Sequence, residues 1–538
     1  MFYKYCKSSF AFLFLTILAL FPANSEAQIN SFYNVRDFGA IGDGITPDTE
    51  AIRKAFDKCA AGGGTVLFPP GKYLTGSVKL ESNVDVYIQA GALILGSANI
   101  NDYEEFVPQL RSYNDYFLKH SLFYAEKAEN ISIRGEGIID GQGSKFVITT
   151  DKKPDRYKNR PFIIRFVECN NVRIENVTMR NSAMWMQQYL ACENLFIRGI
   201  KVYNHANKNN DMIDIDGCRN VVMSDCIGDT DDDALTLKST SERITENVTI
   251  TNCVLSSHCN AIKMGTESTG GFRNITISNI VVKPSDSPTK IYGQHAGISG
   301  ITLGMVDGGI LEGVIISNIR IDGPQVPIYM RLGNRARKHY PDAPQPGVGI
   351  FRNVILSDIT ATNIQSSIGG SITGIPGYNI ENVNLNNIKI EYAGGGTIED
   401  AAKKVDELED HYPESTKWGT LPAYGFYVRH AENITFNNVD ISYKEPDVRP
   451  AFIFDDAKKI TLFNVSADAD KNCEAVLKFI NSSEININSF GSLSKTKLFA
   501  KFTGRNTNGI FLRNNNINNI NNVFELGDGL SADIIDLK

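Results

Sequence analysis

Eight aspartates lie between residues 209 and 239, in the segment NNDMIDIDGCRNVVMSDCIGDTDDDALTLKS. Crowded like charges normally cost stability, so this concentration of acids needs a reason. The interval from Asp211 to the pair Asp232 and Asp233 is nearly the same as the interval from Gln188 to Asp211. His258 follows Asp233 after a slightly longer interval. If each interval spans one structural repeat, all five side chains share one face of the protein.

Three carboxyl groups on one face can perform acid and base chemistry. They cannot all ionise at low cost, so at least one pKa should rise and leave a protonated acid beside an ionised base. Cleavage of a glycosidic bond uses this pairing, with the carboxyl groups roughly 6.5 to 9.5 Å apart in an inverting mechanism. A calcium site is the alternative, although the neighbouring Lys238 disfavours it. Asp225 and Asp229 suit turns, and Asp214 and Asp216, which alternate with isoleucines, suit the outer face of a strand.

An internal repeat predicts the architecture that positions these acids. The pattern Asn, apolar, any, apolar recurs along the chain, and its asparagines follow one another at nearly equal intervals: Asn171, Asn194, Asn220, Asn247 and Asn274. A fixed period of this length is typical of a solenoid. Each unit contains short alternating strands and no helix-length run. The sequence therefore predicts an all-β fold, a parallel β-helix.

The repeat also explains its cysteines and glycosylation-like sequons. Cys169, Cys192 and Cys218 occupy nearly the same place in successive units, which favours an inward ladder of small side chains over disulfides. No Cys/His spacing suggests a zinc site. We interpret the sequon asparagines as turn residues rather than glycan sites; they are Asn130, Asn176, Asn247, Asn274 and Asn433.

Two helices are expected outside the repeat. The segment TPDTEAIRKAFDKCA predicts an amphipathic capping helix over the first coil, with Thr46 as N-cap and Pro47 in the first turn. A second helix, Glu399 to Glu409, is expected in an insert, and inserts often line the binding face of a solenoid. The predicted organisation is a leader (1–27), a cap with the first strands (28–75) and a β-helix catalytic domain (76–538) with an insert near 394–423.

Composition and charge limit the possible partners. The chain is 42% hydrophobic and 21% charged with a net charge of −7, which disfavours a nucleic-acid binder and leaves an acidic substrate dependent on a local basic cluster. Lys4 and Lys7, the apolar run 10–21 and the small residues 23–27 predict a cleaved secretory signal. The run is too short for a membrane anchor. We expect a periplasmic or secreted protein, monomeric, without cofactor or bound metal.

Several motifs together resemble glycoside hydrolase family 28, the polygalacturonases and their bacterial relatives. They are NNDMIDIDGCRNV, DTDDDALTLKS, NSAMWMQQYLACENL and, near the N-terminus, YNVRDFGAIGDG, and the likeness runs from about Tyr33 to Asp440. The resemblance implies a right-handed parallel β-helix that hydrolyses pectic polysaccharide with inversion.

The family motifs imply roles for individual residues. The Asn-Thr-Asp motif falls on Asn209, Asn210 and Asp211, and the Asp-Asp motif falls on Asp232 and Asp233. The resemblance implies that Asp232 is the general acid and that Asp211 and Asp233 hold the attacking water. The predicted catalytic residues are therefore Asp211, Asp232, Asp233 and His258.

The sequence departs from the family in two places. The histidine of the Gly-His-Gly motif should fall at Cys259 or Asn260, so His258 is offset by a position or two. The Arg-Ile-Lys motif that binds the substrate carboxylate should fall near GISGITLG, where 299–302 supply no cation. Four residues could replace it: Lys263, Arg331, Arg335 and Arg429. Arg331 and Arg429 are favoured because each follows an apolar strand segment; the predicted substrate contacts are Gln188, Asn209, Lys238, Lys263, Arg331 and Arg429.

The leading interpretation is a hydrolase of galacturonosidic bonds in pectin. The missing Arg-Ile-Lys motif favours rhamnogalacturonan or another substituted pectin as the alternative substrate. A non-catalytic carbohydrate-binding β-helix, of the tailspike or adhesin kind, is the alternative from another class. A calcium-dependent pectate lyase is a third.

Overall fold

Parallel strands stack coil upon coil from Phe32 to Leu537 in the described part of the chain. The computed structural model describes residues 31–115, 117–492 and 496–537, so the predicted leader lies outside the described residues. One column of core residues shows the register, because each member lies opposite the next: Ile213, Leu235, Ile262, Ile301 and Ile328. The fold is the predicted right-handed parallel β-helix.

The strands before the aspartate segment build the first coils. They are β1 (Phe32–Asn34), β2 (Asp43–Pro47), β3 (Gly64–Phe68), β4 (Gly71–Thr75), β5 (Val78–Lys79), β6 (Val84–Ile88), β7 (Ala92–Gly96), β8 (Ser121–Glu126), β9 (Glu129–Gly135), β10 (Ile138–Asp140), β11 (Phe162–Val167), β12 (Asn170–Glu175), β13 (Thr178–Arg180), β14 (Gln187–Leu190), β15 (Glu193–Arg198) and β16 (Lys201–Asn204).

The aspartate segment and the later coils follow in the same way. Their strands are β17 (Ile213–Asp216), β18 (Arg219–Ser224), β19 (Ile227–Thr230), β20 (Leu235–Ser239), β21 (Thr245–Ser257), β22 (Asn260–Ser268), β23 (Gly271–Val282), β24 (Ser299–Met305), β25 (Ile310–Asp322), β26 (Val326–Leu332), β27 (Ile350–Thr362), β28 (Gly370–Thr373), β29 (Ile380–Gly394), β30 (Phe426–Glu445), β31 (Phe452–Ala467), β32 (Leu477–Ile480), β33 (Ser483–Asn488), β34 (Thr496–Thr503), β35 (Asn508–Arg513), β36 (Ile520–Leu526) and β37 (Ile535–Leu537).

Asparagines bend the backbone at the repeat positions, either inside long strands or between two strands. The five sequon asparagines all have positive φ, a conformation that asparagine tolerates better than most residues. Their side chains also bond from coil to coil: Asn247 donates to Asn220 at 3.2 Å, and Asn274 donates to Asn247 at 3.2 Å. The positive φ agrees with the expected backbone bends, and the interpretation as turn residues rather than glycan sites stays a prediction.

Apolar side chains fill the inside of the solenoid. The predicted cysteine ladder is present, since Cys169, Cys192 and Cys218 are buried, free and next to residues paired in register. Further along, Phe454, Phe479 and Phe502 stack with ring centroids 5.0 and 5.1 Å apart. These columns hold the coils at a constant spacing and so fix the loops that project from them.

Both predicted helices differ from expectation at their ends. The capping helix α1 spans Thr49–Gly62 and buries one face, made of Ile52, Ala55, Phe56 and Cys59, but its N-cap is Asp48 rather than Thr46. Thr46 instead lies near the end of β2 and donates to Asp43, because a local side-chain bond competes with capping. In the insert, α2 is a single turn, Ile398–Ala401, capped by Thr397. Neither described helix has the length and apolar character needed to cross a membrane.

Candidate active site

Three aspartates form the floor of one cavity. Asp211 lies between β16 and β17, and Asp232 and Asp233 lie between β19 and β20. The backbone N–H of Met212 donates to the carbonyl oxygen of Asp233 at 3.0 Å, which places Asp211 one coil before Asp233. All three aspartates line a cavity of about 740 Å³. The spacing therefore predicted their meeting correctly.

The ammonium group of Lys238 offsets the repulsion between the neighbouring acids. Its Nζ lies 3.3 Å from Glu267, 3.5 Å from Asp214 and 4.0 Å from Asp211. Although burial opposes the ammonium, Glu267 and Asp214 raise the pKa of Lys238. Asp214 and Asp216 alternate with the core residues Ile213 and Ile215, as expected for the outer face of a strand, but both aspartates are fully buried beneath the cavity. They form a supporting polar layer that the loops cover.

The floor combines a proton-bearing acid with a carboxylate held by cationic and amide donors. Burial, reinforced by Asp233, raises the pKa of Asp232 to about 6. Burial and the neighbouring carboxylates also raise the pKa of Asp211 well above its usual value. Asp233 accepts hydrogen bonds from Lys263 Nζ and Asn260 Nδ2, both at 2.7 Å. Lys263, predicted as a substrate contact, thus lies against Asp233.

Gln188 lies beneath the cavity, which contradicts its predicted contact with substrate. It pairs in register with Asp214, and its Nε2 donates to Asp216 at 2.9 Å. The predicted alignment of Gln188 with Asp211 is therefore three positions out of register. Trp185 takes the expected place and lines the cavity, with Lys238 Nζ 4.6 Å from its ring centroid.

His258 lies behind the cavity wall, which contradicts its predicted catalytic role. Its side chain is fully buried, and its Nδ1 lies 2.8 Å from Asp231. Its ring centroid is 4.9 Å from that of His205. Asp231 also accepts from the backbone N–H of Tyr292 at 2.9 Å, so this group anchors a loop of the cavity wall. Cys259, the next residue, faces the cavity instead.

Asn209 enters the cavity beside the acid. It has a φ of +56°, and this left-handed turn is one that asparagine accepts. Its Nδ2 lies 3.4 Å from Asp232 Oδ2, a long hydrogen bond. The position suits the predicted contact with substrate, and that role stays a prediction.

A family model described as "Glycosyl hydrolases family 28" matches residues 68–411, more than half of the chain. This chain belongs to family 28 of the glycosyl hydrolases. A probable polygalacturonase of Vitis vinifera is 31% identical over 214 residues, which are 38% of this chain and 43% of that relative. An exo-poly-alpha-D-galacturonosidase of Dickeya chrysanthemi is 27% identical over 249 residues, 38% of this chain and 41% of that relative. The chain thus covers less than half the length of either relative.

A solved structure supports the fold of this family 28 chain. The hyperthermoactive exopolygalacturonase of Thermotoga maritima matches with a TM-score of 0.60 at 20% identity. The match covers 77% of this chain and 92% of that chain. It therefore extends the shared β-helix over most of the described residues.

In this family 28 chain, the expected place of the Arg-Ile-Lys motif holds buried hydroxyl groups. Ser299 and Thr302 contact each other through their side chains, and Thr302 donates to Asn260 Oδ1 at 2.9 Å. Asn260 in turn contacts Asp233, so the hydroxyl pair supports the floor. A cation that binds a substrate carboxylate would therefore have to come from another segment of the chain.

Arg331 and Arg429 do not line the cavity, so their predicted contact with the substrate is wrong. Arg331 donates to the carbonyl oxygen of Leu408 at 3.2 Å and lies 5.1 Å from the ring centroid of Trp418. Arg429 pairs with Glu407. All of these partners belong to the insert, so both arginines hold the insert against the body. Sequence spacing did not predict these contacts, because the insert folds back over the strands that carry Arg331 and Arg429.

A different group of cations lines the cavity. It consists of Lys153, Arg156, Arg335, Arg337 and Lys338, of which Arg337 pairs with Asp307 and Glu267. Arg156 Nε and Arg335 Nη1 are buried and have no hydrogen-bond partner among the described residues. The Arg335 guanidinium lies 5.2 Å from the ring centroid of Tyr412. Arg335 was one of the four candidates named from the sequence. No sequence pattern pointed to Arg156, which lies in a segment far from the aspartates in sequence and reaches the cavity only in the folded chain.

The insert also contributes to the cavity of this family 28 chain. Tyr412 and Glu414 line its wall, as expected of an insert on the binding face. Neither residue was singled out from the sequence. The run HYPESTKW contains turn-forming and aromatic residues, but no spacing connects it to the aspartates.

Proposed function

We propose that this family 28 chain is an exported hydrolase of α-glycosidic bonds in uronate-containing pectic polysaccharide and that it acts with inversion. One observation carries the proposal: Asp211, Asp232 and Asp233 meet in a single cavity whose wall also holds arginine nitrogens that have no hydrogen-bond partner among the described residues. A cavity of about 740 Å³ falls within the roughly 300 to 1,000 Å³ of small-molecule sites, so it can enclose part of a short glycan chain.

The geometry supports the following division of labour. Asp232 keeps its proton up to a pH of about 6 and gives it to the glycosidic oxygen as the bond to the anomeric carbon breaks. Asp233 accepts a proton from a water that attacks the opposite face of the sugar, and Asp211 helps to position that water. The new bond then lies on the face opposite the leaving group, so the anomeric configuration inverts.

The cations favour a substrate that carries carboxylates. Arginine presents two parallel donors that match a carboxylate, and Arg156 and Arg335 each retain a buried nitrogen without a partner among the described residues. One curated relative is described as a probable polygalacturonase and the other as an exo-poly-alpha-D-galacturonosidase, which supports galacturonan as the substrate. Rhamnogalacturonan or another substituted pectin is the alternative, because the family motif for the carboxylate is replaced by hydroxyl groups. Export through the predicted leader is part of the proposal.

A panel of defined oligosaccharides tests this function. Homogalacturonan and rhamnogalacturonan oligomers should be incubated with the native protein, with Asp232→Asn and with Asp225→Asn, a matched change at an exposed turn. Because a positioned acid contributes about a hundred- to ten-thousand-fold, Asp232→Asn should lose that much turnover and Asp225→Asn should lose none. Ultraviolet-absorbing unsaturated products would identify a lyase. Binding without cleavage, equal in all three proteins, would identify a non-catalytic carbohydrate-binding protein.

A further inference from the structure

The insert between β29 and β30 places one more carboxyl group in the cavity. Glu414 lines the cavity together with Asp232 and Asp233. Nearby, Tyr412 accepts a hydrogen bond from Lys263 Nζ at 3.1 Å, which ties the insert to the aspartate floor. Glu414 is therefore next to the proposed chemistry although it lies many coils further along the chain.

The Glu414 carboxyl group makes one local contact, with the backbone N–H of Ser415. The local turn forms through the backbone, because Glu414 N–H donates to Tyr412 O and Lys417 N–H donates to Glu414 O, both at 3.0 Å. The insert is fixed elsewhere, where Trp418 and Leu421 pack in an apolar cluster. Two cations close to the floor and the insert pair with other acids: Lys263 with Asp233, and Arg429 with Glu407.

One oxygen of this carboxyl group is unused. Glu414 Oε1 is buried and has no hydrogen-bond partner among the described residues. Burial raises the pKa of Glu414 to about 7; Lys263 opposes the rise, whereas Asp233 and Asp232 add to it. A buried polar atom without a partner costs stability, and a ligand that supplies the partner recovers that cost. Because Glu414 lines the cavity, this oxygen is available to a bound molecule.

We propose that Glu414 is a substrate-contacting, specificity-determining residue that hydrogen-bonds a hydroxyl group of the sugar unit held beside Asp232 and Asp233. A hydroxyl group fits both states of the carboxyl, since it donates to the ionised form and accepts from the acid form. A sugar carboxylate at the same place would add to an already acidic floor. The uronate carboxylate of the substrate therefore lies toward Arg156 and Arg335, and the hydroxyl face lies toward Glu414.

This inference rests on the proposed function, and matched variants separate the two. Glu414→Ala removes the contact, Glu414→Gln keeps an amide that can donate and accept, and Glu409→Gln changes an exposed acid of the same insert. Loss of one hydrogen bond to a charged group corresponds to about tenfold or more in affinity. With trigalacturonate as probe, we expect Glu414→Ala to raise KM about tenfold with a smaller change in kcat. Glu414→Gln should restore most of the loss, and Glu409→Gln should match the native protein.

A binding measurement keeps the test decisive whatever the activity. Trigalacturonate affinity is measured by calorimetry in the Asp232→Asn background, with and without Glu414→Ala, and circular dichroism verifies the fold. Weaker binding on loss of Glu414 supports the inference even if no substrate is cleaved, which would refute only the hydrolase. Unchanged KM and affinity in Glu414→Ala would overturn the role of Glu414 while the hydrolase stands. If the native protein neither cleaves nor binds galacturonides, both proposals are wrong.

Discussion

Replacing Asp232 by Asn should stabilise the protein at neutral pH while it lowers turnover about a hundred- to ten-thousand-fold. Burial and Asp233 hold the pKa of Asp232 at about 6, above the ordinary value of 3.8. At pH 7.5 the carboxyl group is ionised in both the folded and unfolded states, so the folded protein bears the cost of a buried charge. Asn has nearly the same shape without that charge. It can also keep the hydrogen bond from the Asp233 backbone N–H, which is 3.0 Å from Oδ1.

The size of the effect follows from the pKa. A rise from 3.8 to about 6 is roughly two pKa units, and at about 1.4 kcal/mol per unit it corresponds to roughly 3 kcal/mol. A group whose folded pKa is raised stabilises the fold fully below the unfolded pKa and loses that contribution as pH rises through the folded pKa. The native protein should therefore lose stability between pH 4 and pH 6 through Asp232, and Asp232→Asn should not. Its advantage should be absent near pH 4 and greatest above pH 6.

Urea unfolding at several pH values measures this difference. The free energy of unfolding of Asp232→Asn should exceed that of the native protein by about 1 to 3 kcal/mol at pH 7.5 and match it near pH 4. Asp225→Asn is the control with the opposite sign, because hydrogen bonds from Ser224 and Asn252 lower the pKa of Asp225. An Asp232→Asn protein that is less stable than the native one at pH 7.5 would refute the assignment of Asp232 as a strained, functional acid.

Three other predictions test the cavity. The value of kcat/KM should fall as pH rises above about 6, because Asp232 must carry a proton; a pH profile that stays flat to pH 8 would contradict this. Arg335→Ala should raise KM for a uronate substrate about ten- to a hundredfold. Arg331→Ala should mainly lower the unfolding temperature, because it releases the insert. A raised KM in Arg331→Ala with an unchanged KM in Arg335→Ala would instead support Arg331 as the substrate contact. Lys263→Met leaves the Asp233 carboxylate buried without its ammonium and should cost about 3 to 5 kcal/mol of stability as well as most turnover, measured by urea unfolding and initial rates.

The repeat made the fold and the aspartate floor predictable. Strand pairing from coil to coil converts a constant interval in sequence into a column in space, so the interval from Asp211 to Asp233 was enough to bring them together. The same interval placed Gln188 wrongly. The loops between strands differ in length, so Gln188 pairs with Asp214, three positions beyond Asp211. Gln188 therefore entered the layer below the cavity, and Trp185 took its place.

Contacts made by loops and by the insert could not be predicted in this way. Arg156 and Glu414 reach the cavity from segments that follow no repeat, and only the folded chain shows where these segments return. Arg331 and Arg429 follow apolar strand segments, as the prediction required, but the insert covers them and accepts their hydrogen bonds. Their charges are thus used for the structure, and the cations that line the cavity come from other segments.

The anomeric configuration of the first product tests the central claim most directly. Proton NMR should follow the earliest minutes of hydrolysis of a galacturonide oligomer that the native protein cleaves, before mutarotation mixes the anomers, with Asp232→Asn as the control. The β-anomer should appear first from the α-linked substrate, and Asp232→Asn should release sugar about a hundred- to ten-thousand-fold more slowly than the native protein. Initial release of the α-anomer, or release by Asp232→Asn at the native rate, would contradict an inverting hydrolase built on Asp211, Asp232 and Asp233.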